Sequence, residues 1–433
     1  MGAARQYTKY VSLNVLAAVG ISLYILADTF FISLAEGADG ITALNLVLPV
    51  YSLIFAIGSM IGMGSATKFM ILRARGDDKA DGYFFNAIFF AMAISLAVMA
   101  VGAFCPDGVV RLLGGDDRIT EVGTGYTQIF MLFTPFFMLN YIFTAFVRND
   151  GAPSIAMAGT LSSSISNIFL DYLFMFPLGM GMRGAALATG ISPIISVIVC
   201  SSHFFTKKNT IRFVPHIPSL RMLGGSCALG VSAFVSEISS GVTTTVFNFV
   251  ILGIAGNVGV AAYGVIANFA MVGTAVFNGI MQGSQPLVSH AYGSGDNASA
   301  KKILSLAQGT ALALAVVIIT AIMIFAPQFT ALFNSEGSAE MAAYAETGIR
   351  IYFTGFLFAG FNIVGSGFLS ATERAGAAFV SAMLRGVVAI AGFAFLLSAL
   401  FGMTGVWLAF PASELLTAVV TLIALLRWGK KKI

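Results

Sequence analysis

The sequence predicts an all-α polytopic membrane protein: twelve transmembrane helices in two six-helix lobes related by a parallel pseudo-two-fold repeat. Three observations point to this. Of 433 residues, 58% are hydrophobic and only 10% charged, where a soluble chain carries about 25% charged residues. The apolar residues gather into windows long enough to cross a bilayer, and mean hydropathy is +0.91. The two halves of the chain also match each other at a near-constant offset. The 47 glycines fit the same class, because small residues let membrane helices approach closely.

Apolar windows of about 20 residues place the spans at 10–35, 41–70, 83–104, 119–147, 154–178, 184–206, 223–253, 259–290, 301–325, 340–370, 376–400 and 404–428. Several exceed the crossing length, which implies tilt or extension past the bilayer. Arg5 and Lys9 ahead of the first window mimic a signal peptide. That run is too long, contains Asp28 and lacks a small-residue cleavage site, so it reads as a retained span. If the helices alternate, one side collects Arg5, Lys9, Arg73, Arg75, Lys79, Arg148, Lys207, Lys208, Arg212, Arg221, Lys301, Lys302, Arg374, Arg427 and Lys430 to Lys432. The other side holds only Arg111, Arg118 and Arg183, among Glu36, Asp39, Asp107, Asp116, Asp117, Glu336 and Glu340. The positive-inside rule then puts both termini in the cytoplasm. The most polar long connection, 207–222, contains two prolines and reads as a cytoplasmic linker. It divides the chain into lobes 1–206 and 223–433.

The repeat is carried by short matches. A shift of 219 lays Arg73-Ala74-Arg75-Gly76-Asp77-Asp78 on Tyr292-Gly293-Ser294-Gly295-Asp296-Asn297. A shift of 222 lays Asn140 on Asn362 and Phe146 on Phe368. A shift of 221 lays Gly181 to Thr189 on Gly402 to Phe410. Six spans per half is an even number, so both halves enter from the same side and the repeat is parallel. A transport path between such halves is the expectation. No Gly-x-x-x-x-Gly-Lys-Ser/Thr loop and no nucleophile–base constellation occurs, so no enzyme activity and no cofactor is expected. Cys105, Cys200 and Cys227, and His203, His216 and His290, have no metal-type spacing. A net charge of +4 gives no reason to expect nucleic acid. The expected driving force is an ion gradient or a partner.

Four acids lie inside the spans: Asp28, Asp171, Glu237 and Glu414. A charge there costs about 2.5–3.5 kcal/mol on insertion scales and usually faces a bundle interior or a water-filled cavity. At about 1.5 Å per residue, Asp28 stands roughly 27 Å and Asp171 roughly 26 Å from their cytoplasmic helix starts. Two acids on different helices thus share one level. Asn167, four residues before Asp171, shares its face. Tyr126 and Thr189 lie at a similar level. Such a cluster can hold a shared proton between two carboxylates, coordinate Na⁺ through hard oxygens, or form a hydrogen-bonded polar plug. Glu237 stands near mid-membrane among serines and threonines. It can balance a cationic substrate, carry a proton or bond its neighbours. Glu414 follows Pro411 and reads as structural, serving the break the proline makes. Asn140 and Asn362 read as matched helix–helix glue or an inner gate. At the position equivalent to Asp28, the second half has Phe247.

These residues resemble the multidrug and toxic compound extrusion (MATE) family, and its MepA-like bacterial branch most of all. The matching pieces are Asp28-Thr29-Phe30-Phe31-Ile32-Ser33, Pro49, Arg75-Gly76-Asp77, Arg148 to Pro153, and Gln285-Pro286. The most specific is Asn167-x-x-x-Asp171 with Gly184 to Thr189. The resemblance covers essentially the whole chain. It implies a twelve-helix, two-lobed antiporter in the bacterial cytoplasmic membrane, exporting cationic amphipathic drugs in exchange for H⁺ or Na⁺. Carried over by position, the family's ion site is Asp28, Tyr126, Asn167, Asp171 and Thr189, the same set that depth alone selects, and its span-seven acid is Glu237. One departure is Ala359, where some branches carry an aspartate. The expected partners are small organic cations and the lipid bilayer, and the expected state is a monomer. A flippase for lipid-linked precursors is the alternative, and it requires a wide basic cavity. Arg350 and Arg385 read as lying near span ends. A non-transporting scaffold is a further alternative, which gains nothing from twin acids at one depth.

Overall fold

The computed structural model describes residues 3–334 and 337–430. Glu336, Lys431 and Lys432 lie outside the described residues, as do the side chains of Asp39 and Lys430. Every regular element among the described residues is a helix. Among the described residues, seven helices are long and apolar enough to cross a membrane, and nine are when each of two bent pairs counts as one span. The bent pairs are Asp117–Leu132 with Thr134–Asn149, and Ala339–Phe353 with Phe356–Ala371, each bent by 46°. The helices Leu220–Gly293 and Ala375–Gly429 contain breaks at Gly256 and Gly402. Each therefore supplies two crossings. Pro153–Met175 makes the twelfth. We number these spans one to twelve in chain order.

The internal repeat is written in the backbone. Left-handed glycines recur at the offsets found in the sequence: Gly37 (φ 61) with Gly256 (φ 58), Gly76 (φ 71) with Gly295 (φ 79), and Gly181 (φ 51) with Gly402 (φ 59). Gly151 (φ 84) has Glu373 (φ 58) as its counterpart, the one non-glycine with a positive φ among the described residues. This region is costly for a side chain and open to glycine. It lets one helix stop and the next start within a residue or two.

Packing divides the chain into two units. One comprises Leu16–Glu237 with Ser289–Asp296; the other comprises the segment up to Val15, Ile238–Val288 and the chain from Asn297 onward. In the first unit, spans two and seven touch through glycine. A Cβ on Gly64 would stand 1.9 Å from the Ser226 carbonyl oxygen, and one on Gly230 would stand 2.0 Å from that of Met60. The second unit repeats this crossing: Gly283 and Gly279 of span eight meet Val11 and Val15 of span one. Contacts this close require a missing side chain.

The connection ahead of span seven is held on the first unit. Asp150 Oδ2 accepts from the Thr210 N–H at 2.7 Å and lies 2.8 Å from His203 Nε2, and the Thr210 hydroxyl also bonds to Asp150. Ser219 and Asn86 exchange two hydrogen bonds, N–H to Oδ1 at 2.8 Å and Nδ2 to the carbonyl at 3.3 Å. The Ser219 side chain then caps the next helix by accepting from the Met222 N–H.

Candidate functional site

Four helices of the first unit bring the sequence-selected oxygens together. Asp28 comes from span one, Tyr126 from Asp117–Leu132, Asn167 and Asp171 from Pro153–Met175, and Thr189 from Gly181–Ser201. All five are buried, Asp171 completely. Asn167 and Asp171 lie one turn apart on a single face. The Asn167 amide donates to the Thr189 hydroxyl at 3.4 Å. That leaves the Asn167 carbonyl oxygen pointing elsewhere.

The carboxyl groups of Asp28 and Asp171 lie within electrostatic reach of each other. Even so, Asp28 Oδ1, Asn167 Oδ1 and both Asp171 oxygens are buried without a donor that meets hydrogen-bond geometry. No basic group of the described chain acts on either aspartate. Buried polar oxygens in a protein are nearly always satisfied, and a buried carboxylate without a counter-charge is strongly unfavourable. Two acids at one level with spare lone pairs can hold a shared proton or a small hard cation. Carboxylate, amide and hydroxyl oxygens are the donor set such a cation takes.

Two residues of this site were not found from the sequence. The Tyr51 hydroxyl of span two is hydrogen-bonded to the Tyr126 hydroxyl. Its ring stacks on Phe130 with centroids 3.6 Å apart, and Phe55 meets it edge-on at 5.5 Å. Tyr51 and Tyr126 both lie within electrostatic reach of Asp28 and Asp171. Tyr24 precedes Asp28 by four residues and shares its helix face. Its phenol interacts with Asp28, Asp171 and Glu237. The four-residue spacing was a usable signal for Tyr24. Tyr51 offered none, since its place depends on how span two crosses span four.

Glu237 is half-buried and is the last residue of the first packing unit. In chain order it belongs to the second half. By packing it stands with the aspartates' unit, where Tyr141 interacts with it. Asn140 does not join the cluster; its Oδ1 accepts from Thr144 one turn on, at 3.2 Å. Asn362 does something different: its amide donates to Glu414 Oε2 at 2.7 Å and to the Glu414 carbonyl at 2.8 Å. Arg385 Nε donates to the other Glu414 oxygen at 2.6 Å. Arg385 thus sits ten residues inside its span rather than near its end, within a π-helical turn Leu384–Val388. Its charge is taken up by Glu414, so Glu414 offers little to an incoming cation.

Among the described residues, the second unit has no copy of the aspartate site. The repeat offsets carry Asp28, Tyr126, Asp171 and Thr189 onto Phe247, Gly348, Gly392 and Phe410. Phe247 stacks on Tyr263 at 5.0 Å and meets Tyr352 edge-on at 6.1 Å; Tyr352 stacks on Phe410 at 4.1 Å. Trp407 fills the space at Gly348, where a Cβ would stand 2.7 Å from its ring. Aromatic rings occupy the place of the oxygens.

Comparison with known proteins agrees with this architecture. The MatE family model matches residues 15–173 and 233–396, one stretch in each half. Multidrug export protein MepA of Staphylococcus saprophyticus is 26% identical over 404 residues, covering 93% of this chain and 88% of the relative. The protein of that name from Staphylococcus aureus is 28% identical over 405 residues with the same coverage. A solved structure described as the outward-facing conformation of a multidrug resistance MATE family transporter of the MOP superfamily has a TM-score of 0.92 at 21% identity, covering 99% of this chain and 96% of that one. A MOP superfamily transporter from Pyrococcus furiosus, described as having a binding pocket of reverse polarity, has a TM-score of 0.91 at 21% identity, covering 100% and 98%. These matches give the fold as twelve transmembrane helices in two six-helix lobes. With a family model matched once in each half and over most of its length, the chain belongs to the MatE family.

Proposed function

We propose that this protein is an antiporter of the bacterial cytoplasmic membrane that exports organic, mostly cationic amphipathic compounds in exchange for H⁺ or Na⁺. The observation that carries the reading is the pair Asp28 and Asp171, buried together without a basic partner. An ion arriving from outside neutralises the pair, and its release to the cytoplasm restores the charge. An ion that binds one global state better than the other shifts the protein between them by that difference in affinity. An organic cation and the ion then use the site's region in alternate states, which is exchange by alternating access. Glu237 supplies a further negative charge for the organic cation. The substrate class draws support from the relatives named for multidrug export. Both termini are placed in the cytoplasm by the loop charges, and the chain acts as a monomer. The flippase alternative needs a wide basic cavity, and the half-buried Arg385 is paired with Glu414.

The test is Asp28→Asn in proteoliposomes, with ethidium efflux driven first by an imposed pH gradient and then by an imposed Na⁺ gradient. Loss of both activities in a variant that inserts and elutes as a monodisperse species is the expected result. Normal ion-driven efflux by this variant overturns the reading.

A further inference from the structure

We propose that Glu36 is a positioning residue for the aspartate site: its carboxylate clasps the helix that carries Thr189 and so fixes the height of Asp28. The inference rests on the transport reading above and adds to it the contact that sets how readily the ion site assembles.

The clasp joins two helices of one packing unit. Glu36 stands eight residues past Asp28 in span one, with the fully buried Ile32 one turn from each on the same face. Its Oε1 accepts from the Met182 N–H at 3.2 Å, in the first turn of Gly181–Ser201. The first N–H groups of a helix have no partner within it, and the helix dipole favours a carboxylate beside them. The N-cap of that helix is Met180, which supplies no side-chain acceptor. Glycine makes room for the acid on both sides. A Cβ on Gly181 (φ 51) would stand 2.0 Å from Glu36 Oε1, and one on Gly40 would stand 2.4 Å from Glu36 Cβ. At about 1.5 Å per residue, Glu36 lies about 12 Å from Asp28 along its helix, and Met182 lies about 10 Å from Thr189 along the other. The clasp and the ion site are thus two rungs between the same two helices.

The repeat separates scaffold from function. Its offsets carry Glu36 onto Ala255, Gly40 onto Gly259, and Gly181-Met182 onto Gly402-Met403. In the second unit a Cβ on Gly402 would meet nothing within 4 Å, and one on Gly259 would stand 3.3 Å from Met403 Cε. The second unit makes this crossing with a methionine and leaves open the place that the Glu36 carboxylate fills. The fold therefore does not need an acid here. The acid accompanies the unit that holds Asp28 and Thr189, whose counterparts are Phe247 and Phe410. An ion at the aspartate site needs oxygens from span one and from the other helices at the same moment. If the end of span one is free to shift, the assembled arrangement is populated for only a fraction of the time, and the apparent affinity falls by that fraction. Glu36 raises the fraction without touching the ion.

The test is ethidium efflux from proteoliposomes as a function of the driving ion's concentration, with hydrogen exchange of the Met182 amide in the purified full-length protein. Glu36→Ala, which copies the residue the second unit carries, raises the half-saturating ion concentration about three- to thirtyfold, the span of a partly buried carboxylate at a helix N-terminus. It keeps most of the maximal rate and speeds exchange at Met182. Glu36→Met, which fills the space without an acceptor, gives the same two readings and replaces an alanine variant that does not elute as a monodisperse species. Glu36→Gln, whose amide oxygen accepts from the same N–H, restores most of both. Met403→Ala, at the counterpart contact, leaves the ion dependence unchanged. Wild-type exchange at Met182 in the variants without an acceptor overturns the clasp. Faster exchange with an unchanged half-saturating concentration, or an equal shift in Met403→Ala, overturns the positioning role and leaves the transport reading intact. A wild-type protein without ion-driven efflux removes the transport reading and the positioning role with it, while exchange at Met182 still decides the clasp.

Discussion

Replacing Arg385 with methionine leaves Glu414 in the second unit as a carboxylate that is 1% exposed, with the Asn362 amide as its remaining partner. Arg385 itself is only 16% exposed and donates at 2.6 Å, so solvent screening of this pair is weak. Removing one partner of such a pair costs about 3–5 kcal/mol, because the other charge stays behind uncompensated. Changing Glu414 to glutamine alone leaves the Asn362 hydrogen bond possible, since the glutamine carbonyl oxygen accepts in the same place. It strands Arg385, which is nearer the solvent, so the expected loss is smaller. The double variant R385M/E414Q removes both charges together and is expected to lie within about 1–2 kcal/mol of the wild type, since a buried pair contributes little net stability. The assay is the temperature at which half of the monodisperse protein is lost on heating in detergent, followed by ethidium efflux from proteoliposomes. The double variant is expected to transport, because a paired Glu414 takes no part in ion binding. A stable double variant that cannot transport refutes that assignment and makes Glu414 part of the transport machinery. An R385M variant as stable as the wild type refutes the pair itself.

Two further outcomes follow from the same structure. Glu373 holds a left-handed φ of 58° where its repeat counterpart is Gly151. Relief of about 1–2 kcal/mol of backbone strain, less the about 0.5–1 kcal/mol entropic cost of glycine, makes Glu373→Gly stabilising by roughly 0.5–1 kcal/mol in the same heating assay; a lower midpoint shows that the Glu373 side chain contributes more than its strain. Asp150→Ala removes the acceptor for the Thr210 N–H and the partner of the buried His203, and each stranded group costs about 1–3 kcal/mol. Proteolysis within 207–219 is expected to accelerate in that variant and not in Asp77→Ala, and equal rates refute the idea that Asp150 holds the connection down.

Much of this molecule was legible because the bilayer restricts what a chain can do. Span length and the cost of an embedded charge are strong constraints. Together they were enough to select Asp28 and Asp171 by depth, and helix periodicity added Asn167. The structure brings these three together with Tyr126 and Thr189. The losses have local causes. Tyr51 reaches the site only through the stacking of span two on Phe130, a tertiary fact with no sequence period. Arg385 read as a residue near a span end although the 376–400 window already puts it nine residues in; its pairing with Glu414, 29 residues on, is a tertiary contact with no sequence period. Asp150 and His203 are 53 residues apart, and nothing in either neighbourhood marks the other as its partner.

The comparison of the halves gives one more step. The backbone devices of the repeat are kept almost position for position: the paired glycine turns, the paired 46° bends and the glycine crossings of spans two with seven and eight with one. The side chains that carry charge are not kept. Where the first unit has Asp28, Tyr126, Asp171 and Thr189, the second has Phe247, Gly348, Gly392 and Phe410, closed by Tyr263, Tyr352 and Trp407. Its embedded acid Glu414 is neutralised by Arg385. Among the described residues the duplicated scaffold thus carries the buried pair Asp28 and Asp171 in one unit only. A transporter that coupled ions symmetrically would need that cluster twice. Aspartate at Phe247 would therefore not create a second ion site. Among the rings of Tyr263 and Tyr352, that carboxylate lacks the second acid and the amide oxygen that accompany Asp28, and the expected result of Phe247→Asp is loss of folded protein rather than a change in ion stoichiometry.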